Sequence, residues 1–505
     1  MLIYSANLLT FKKMFVSKRN LLRFFTFFFI LGCFTRCKRD TGTVDFGNYP
    51  IAVGKLITTK CTTNGCHNET SKQGAAGLSL ETWNSVFEGY DAGAAVVPYR
   101  PDFSSFCYVI NTFPDLGIIV KPTMPYNKPA LNRDEVVLLN NWIAQGAPSR
   151  TGQVKFADNP SRRKFYVSNQ GTDVVTVFDE ETLLPMRYIN VGESAATEYP
   201  QMVKVSPDGK YWYVVFSAGT VVQRYNTSDD SFAGQVEIGS GNWNSISISN
   251  DSKDAYVVDW SPVGQIAHVD LQTMTMAGPV WTGSKVFDYP HGSAVNKTND
   301  TLYVTGLSGN YIYKVAIANP TAPTRVSLDG NPIITNQSLN VNSITFSPDF
   351  SKYIVTCQRT NEVRILNTSN DSLLAVIPVG IYPQEVRISK STSYAFVSCQ
   401  QDTINFPGST GSIAVIDYKN NSLVRHVFTG FQPHGLVADD VKKIVCVANR
   451  NLTAKGPAPH HQAFTGGRIG YVTFIDMTTL ELVQNANGRE RRIEVAVDPY
   501  SVDAR

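Results

Sequence analysis

Beyond residue 150 the chain alternates apolar and polar positions with the two-residue period of half-buried strands. The alternation recurs in seven similar units, beginning at Phe165, Trp212, Ala255, Leu302, Tyr353, Ala395 and Val445. FYVSNQGTDVVTVFD and YIVTCQRTNEVRILN are examples, and the spacing of roughly 42 to 51 residues falls in the range of propeller blades. Turn segments such as SPDGK, SNDSK and SPDFSK separate first from second strands, and NTSDDS, NTSNDS and YKNNS separate third from fourth. No amphipathic helical stretch interrupts the series. The pattern predicts a seven-bladed β-propeller with four strands per blade over residues 153–505. Val154 to Ala157 reads as the first strand of blade one, which would complete that blade. The tail Pro499 to Arg505 reads as the beginning of another blade, placed to act as a clasp.

Before residue 150 the period changes. Leu138, Leu139, Trp142 and Ile143 form a stripe at helical spacing. Asn132 with Glu135 three residues on reads as a capping box, and Gly146 and Pro148 end the helix. Nearer the N-terminus, basic residues (Lys12, Lys13, Lys18, Arg19, Arg23) precede an apolar run from Phe24 to Leu31. These are the n-region and h-region of a secretory signal, and the run is too short to span a bilayer. It ends in Ile30-Leu31-Gly32-Cys33, which resembles a bacterial lipobox and predicts lipidation of Cys33. The alternative is an ordinary signal peptide with an incidental cysteine. Cys37, preceded by Arg36, is a poorer acceptor, and Met14 is a more typical signal start than Met1. The expected layout is a signal over 1–32, a tether over 33–46 and an exported, periplasmic or outer-membrane-anchored lipoprotein. Phe34 after the cysteine favours the outer membrane.

Composition narrows the field. Lys plus Arg is 45 and Asp plus Glu is 42, a net charge of +3 that offers no case for a nucleic-acid partner. Eight cysteines in 505 residues are too sparse for a disulfide scaffold.

Two of those cysteines carry chemistry. In KLITTKCTTNGCHN, Cys61 and Cys66 are separated by four residues and His67 follows directly. The usual c-type haem signature is C-x-x-C-H: two thiols add to the haem vinyl groups and the histidine faces the iron. A wider loop still permits this. A disulfide or a zinc half-site are the competing readings. Zinc needs about four ligands, and the only other Cys or His between residues 41 and 150 is Cys107. His67 is the only histidine and Met124 the only methionine of residues 47–150. Met124 lies between Pro122 and Pro125 in a loop suited to presenting a thioether, with core filler as the competing reading and Lys121 or Lys128 as alternative ligands.

Residues 47–150 resemble the small all-α cytochrome c-like domains of bacterial multidomain envelope proteins. The resemblance rests on the widened C-x4-CH, the GLSL segment (Gly77 to Leu80), the TMP loop and the WI..GAP terminal helix. It implies one covalent haem c on Cys61 and Cys66, with His67 and Met124 as axial ligands. Such ligation closes the iron and favours electron transfer. The repeats of residues 153–505 resemble YVTN-type propeller repeats, which identify a fold better than an activity.

On the propeller, the segments entering first strands read EYPQ, DYPH, IYPQ and FQPH, placing Gln201, His291, Gln384 and His434 at one mouth of the channel. An enlarged blade-seven loop adds His460 and His461, and Arg359, Arg450 and Arg468 lie on loops of that face. Either His291, His434, His460 and His461 build a second metal or redox centre, or Pro-His/Gln is a repeat-structural element and the loop histidines are solvated. Three functions follow. The first is an electron-transfer cytochrome with redox partners in the envelope and a lipid anchor in the membrane, its propeller a docking or substrate platform. The second is a periplasmic oxidoreductase with a second centre in the channel. Bacterial nitrite reductases join a haem c domain to a propeller in this way, but theirs has eight blades. The third is a binding protein with a vestigial haem domain.

Overall fold

The computed structural model describes residues 44–505, apart from 283–286, 334–337, 464 and 486–487. The signal, Cys33 and most of the tether lie outside the described residues. Phe46–Arg505 forms one compact unit.

Blades two to seven are each built on a continuous four-stranded antiparallel meander. Blade two, for example, runs Pro200–Val205, Tyr211–Phe216, Val221–Asn226 and Phe232–Glu237. The alternation read from sequence is satisfied by packing face to face: second strands such as Lys352–Cys357 and Tyr394–Cys399 are buried along nearly their whole length between neighbouring blades. Cys357, Cys399 and Cys446 are core thiols there. Turns between first and second strands are fixed by side chains. In SPDGK, Ser206 Oγ donates to Asp208 Oδ1 at 2.7 Å, which in turn accepts from Lys210 N.

Closure of the ring differs from the expectation. Val154–Ala157 forms no strand. Instead the C-terminal strand Pro499–Ala504 pairs with Lys164–Asn169 and becomes the innermost strand of blade one, followed by Val174–Asp179 and Leu184–Asn190. The tail completes a blade whose other three strands come from the start of the propeller. Ring closure then joins the two ends of the propeller sequence directly. Blade seven carries a fifth strand, Ile493–Val497, paired with Ile469–Asp476.

Residues 46–150 form a lobe of three α-helices, α1 (Ile51–Lys60), α2 (Ser105–Ile110) and α3 (Arg133–Ala144), joined by loops and short 3-10 turns. The capping box of α3 is made: Asn132 Oδ1 accepts from Glu135 N at 3.0 Å and Glu135 Oε2 accepts from Asn132 N at 2.9 Å. Val136, Leu139, Trp142 and Ile143 are buried on its inner face. The lobe packs on the outer strand of blade one, where Phe103 stacks on Tyr188 at 4.1 Å and Arg100 Nη1 donates to the Tyr188 carbonyl and Asn190 Oδ1. A second contact joins Ala92 to Glu494 through a backbone hydrogen bond.

Candidate functional site

Helix α1 ends at Cys61, and the next turn is held by its own polar groups. His67 N donates to the Cys61 carbonyl at 3.0 Å, closing the six-residue span. Asn68 Nδ2 donates to the Thr62 and Thr63 carbonyls, while its Oδ1 accepts from Ser71 N and Oγ. Gly65 takes the left-handed conformation (φ 78°) that lets the four intervening residues turn back. Cys61 and Cys66 are both unbridged. Cys61 is buried, and burial pushes its thiol up to about 12. Cys66 is half-buried and accepts from Thr63 Oγ1 at 3.4 Å.

His67 Nδ1 lies 3.4 Å from the Leu78 carbonyl. A carbonyl only accepts, so the proton sits on Nδ1 and the Nε2 lone pair is left free. Burial lowers the pKa of this imidazole and keeps it neutral. Leu78 belongs to the GLSL segment, and Leu80 N returns a hydrogen bond to the His67 carbonyl at 2.9 Å. Met124 is partly buried against the apolar cluster that also contains Cys61, Leu80, Tyr108, Leu131 and Leu139. Its backbone N donates to the Val109 carbonyl of α2 at 2.7 Å, which ties the Met124 loop to that helix. Of the two alternative lysines, Lys128 is engaged: its Nζ donates to Thr63 Oγ1 at 2.7 Å. The lobe thus offers two unbridged thiols, one neutral imidazole and one thioether, of which Cys61 and Met124 belong to or pack on the apolar cluster.

The four propeller histidines separate into two pairs. His291 and His434 line the central channel. His460 and His461 lie at the lobe instead, where Glu494 accepts from His460 N and Nδ1, and His461 packs on Tyr108 at 4.6 Å. The single four-histidine centre is not formed. Among the described residues no group of three or more His, Cys, Asp or Glu side chains is arranged to hold a metal ion. The reason is the blade-seven loop, which leaves the channel face and reaches outward to the lobe. His268 and His426 sit in strands, and His268 Nε2 bonds Asp254.

The channel itself holds an arrangement only half visible in the sequence. The second residue of each inner strand is Gln201, Asn244, His291, Asn342, Gln384, His434 or Tyr500. At this position every innermost pairing carries a register irregularity, from Pro200/Met202 round to Pro433/Leu436, with the matching shift at Ser168/Asn169 opposite the tail strand. A bulge leaves one residue outside the ladder and re-aims its side chain. The seven form a ring around the channel, between an upper chamber of about 460 Å³ and a lower one of about 750 Å³.

Hydrogen bonds run around the ring. Gln170 donates to Gln201, Gln201 Nε2 to Asn244 Oδ1 at 3.2 Å, and Asn244 Nδ2 to the His291 carbonyl at 3.2 Å. Farther round, Gln358 Nε2 donates to Gln384 Oε1 at 2.9 Å. Both histidines are oriented as His67 is, with His291 Nδ1 at 3.1 Å from the Asn342 carbonyl and His434 Nδ1 at 3.0 Å from the Tyr500 carbonyl. Burial lowers His291 to about 4 and holds His434 well below its ordinary value. Tyr500 is sandwiched between the stacked His434 ring at 3.7 Å and the Arg450 guanidinium at 4.8 Å. Of the three arginines expected on this face, Arg450 lines the upper chamber, and Arg359 and Arg468 do not. Below the ring the walls carry the ion pairs Lys204–Asp503 and Arg387–Glu385.

The sequence matches no protein-family profile. No curated protein is detectably similar to it. Among solved structures, the chain is similar to hydrazine synthase of Kuenenia stuttgartiensis, with 16% identity, TM-score 0.44 and coverage of 62% of this chain and 92% of that one. It is also similar to the dihydro-haem d1 dehydrogenase NirN in complex with DHE, with 12% identity, TM-score 0.45 and coverage of 89% and 98%. Likeness of this degree carries no statement about chemistry.

Proposed function

We propose that residues 47–150 are a c-type haem domain and that the chain is an electron-transfer protein of the bacterial cell envelope. In this reading Cys61 and Cys66 form the thioether bonds and His67 and Met124 are the axial ligands. The observation that carries it is the orientation of His67: its Nδ1–H is committed to the Leu78 carbonyl, so a free Nε2 follows directly after two unbridged thiols. Bound haem supplies a one-electron iron couple, and His/Met ligation tends to raise its potential and leaves no open position. The protein's own part is positioning. Asn68 and Ser71 hold the Cys61–Cys66 turn, and Leu78 holds the imidazole. Lipidation of Cys33 anchors the chain to the membrane. Redox proteins of the envelope are its partners, and the propeller is a docking or substrate platform.

The test is an alkaline pyridine haemochrome spectrum on protein exported with c-type maturation machinery. One covalent haem per chain is expected, and Cys61→Ala with Cys66→Ala abolishes it. Met124→Ala keeps the covalent haem and loses the sulfur-to-iron band at the red end of the ferric spectrum. Colourless wild-type protein overturns the reading. An unchanged band in Met124→Ala assigns the sixth ligand elsewhere.

A further inference from the structure

The upper chamber has a chemistry of its own, independent of the haem reading. Among the described residues its wall carries one charged side chain, Arg450. That charge is spent on Asp498, which accepts from Arg450 Nε at 2.6 Å and Nη2 at 2.7 Å. Among the described residues the lining holds one histidine, His291, which is neutral near pH 7 because burial lowers it. A chamber without uncompensated charge offers an anion or a cation only dipoles, with no opposite charge to offset the ion's lost hydration.

What the chamber does offer is carboxamides. Gln201, Asn244, Asn342 and Gln384 of the ring are joined by Gln358 and Gln400 of neighbouring strands and loops. Each carboxamide has two donor hydrogens and an oxygen with two lone pairs. The contacts around the ring use only part of that capacity. A surface that mixes donors and acceptors at short spacing matches groups that both donate and accept, and the hydroxyl is the commonest of these.

A second observation lies at the rim. Trp260 lines the same chamber and is 41% exposed. The residues entering three inner strands are Tyr199, Tyr289 and Tyr382, at φ of 58°, 45° and 60°. The same left-handed position holds Asn340, Gln432 and Asp498 in three other blades, and Asn and Asp tolerate that conformation well. A tyrosine is an expensive choice there, and backbone strain of this kind concentrates at binding sites. Of these three tyrosines, Tyr382 lines the chamber together with Trp260. Aromatic side chains beside amides suit a ligand with apolar C–H faces and a hydroxyl edge.

We propose that the upper chamber binds a neutral saccharide, with its hydroxyls on the bulged Gln/Asn ring and a sugar face on Trp260. The volume of about 460 Å³ lies within the range of small-molecule sites.

The experiment is calorimetric titration of the mature chain with glucose, maltose and N-acetylglucosamine, with sodium phosphate and spermidine as charged controls. Saturable binding of at least one sugar is expected, with none of the charged controls. Trp260→Ala and, separately, Gln384→Ala weaken binding at least tenfold. Trp260 is exposed, so its variant keeps the fold even where Gln384→Ala does not, and thermal melts verify both. No saturable sugar binding overturns the proposal. So does sugar binding that Trp260→Ala leaves unchanged, or preferential binding of phosphate or spermidine. A colourless protein that binds sugar leaves this proposal standing and removes only the haem reading.

Discussion

The lobe and the propeller channel orient their histidines by the same device and build different surroundings from it. His67, His291 and His434 each donate Nδ1–H to a backbone carbonyl, at 3.4, 3.1 and 3.0 Å. In the lobe, the imidazole keeps company with two thiols and a thioether, all within residues 61–124. In the channel, its companions are carboxamides and a tyrosine drawn from the whole ring. Carbonyl-held imidazole therefore does not define a site by itself. The neighbouring donors decide what the nitrogen can do. The lobe's set is local and depends on one turn, one loop and one helix. The channel's set is global and exists only when seven blades close.

That difference predicts the largest effect. Removing residues 499–505 takes away the inner strand of blade one, fully buried Val502 and the ring member Tyr500. Losing the strand's ladder and its apolar contacts costs about 5 kcal/mol or more. The truncated chain should lose the cooperative melt of the propeller, followed by circular dichroism. Export with maturation machinery should still yield haem attached through Cys61 and Cys66, because no lobe element uses the tail. An unchanged melting temperature in the truncated chain contradicts the closure. Loss of attached haem from an otherwise soluble truncated chain contradicts the lobe's independence.

Acid distinguishes His460 by sign from His291 and His434, while burial lowers His461 as it does the channel pair. An exposed imidazole titrates near 6.5, whereas His291 takes its proton only near 4 in the folded chain. Between those values the unfolded chain holds more protons, so stability falls as pH drops from about 6.5 toward 4 and levels off below. The change from His291 is at most about 3 kcal/mol, and less where chamber solvent reaches the ring. His434 acts in the same direction. His460 acts oppositely: the Glu494 hydrogen bond raises its pKa, so its contribution is full below about 6.5 and is lost as pH rises through the folded value. In urea denaturation between pH 4 and 8, His291→Gln should have a shallower acid limb than the wild type. Parallel limbs remove His291 as its source.

The contact between lobe and propeller is the next test. Phe103→Ala removes the stack on Tyr188 and the Arg100 guanidinium's aromatic partner at 4.4 Å. A loss of about 1–2 kcal/mol is expected in urea denaturation. A loss beyond that scale would mean that lobe and propeller fold as one body through this contact. No loss would mean that the remaining contacts, among them Arg100 with Asn190, Tyr99 with Arg187 and Asp91 with Asn485, hold the lobe without it.

The sequence is read easily where a pattern repeats or is local. Seven alternating units predict seven blades, and Asn132 with Glu135 predicts a cap that forms. Long-range pairing leaves no local trace. Val154–Ala157 has the composition of a first strand, yet the strand that fills the position lies at Pro499–Ala504, because blade closure is decided by what is left unpaired at the other end. The ring was half legible. Gln201, His291, Gln384 and His434 follow proline and share a visible motif, whereas Asn244 follows Trp243, Asn342 follows Val341 and Tyr500 lies in the tail. Counting two residues into every inner strand would have found all seven. Sequence does not fix where His460 and His461 lie, because the course of a long loop depends on what it packs against, here Tyr108 of the lobe.

The smallest effect tests whether the lobe's local construction is real. Asn132 closes the first turn of α3, the helix that buries Leu139 and Trp142 beside the candidate site. Replacing it by alanine leaves Glu135 N without its acceptor and Glu135 without its place at the cap, a loss of about 1 kcal/mol. Glu135 also pairs with Lys60, at the end of the helix that leads into Cys61, at 2.7 Å. The weakened cap should therefore loosen the turn carrying Cys61 and Cys66 before it reaches any blade. Amide hydrogen exchange should report faster opening in Ile51–Lys60 and Arg133–Ala144, with exchange in the second strands of the propeller unaltered. Equal acceleration in the blades would mean that the lobe has no stability of its own to lose, and that both halves answer to a single global equilibrium.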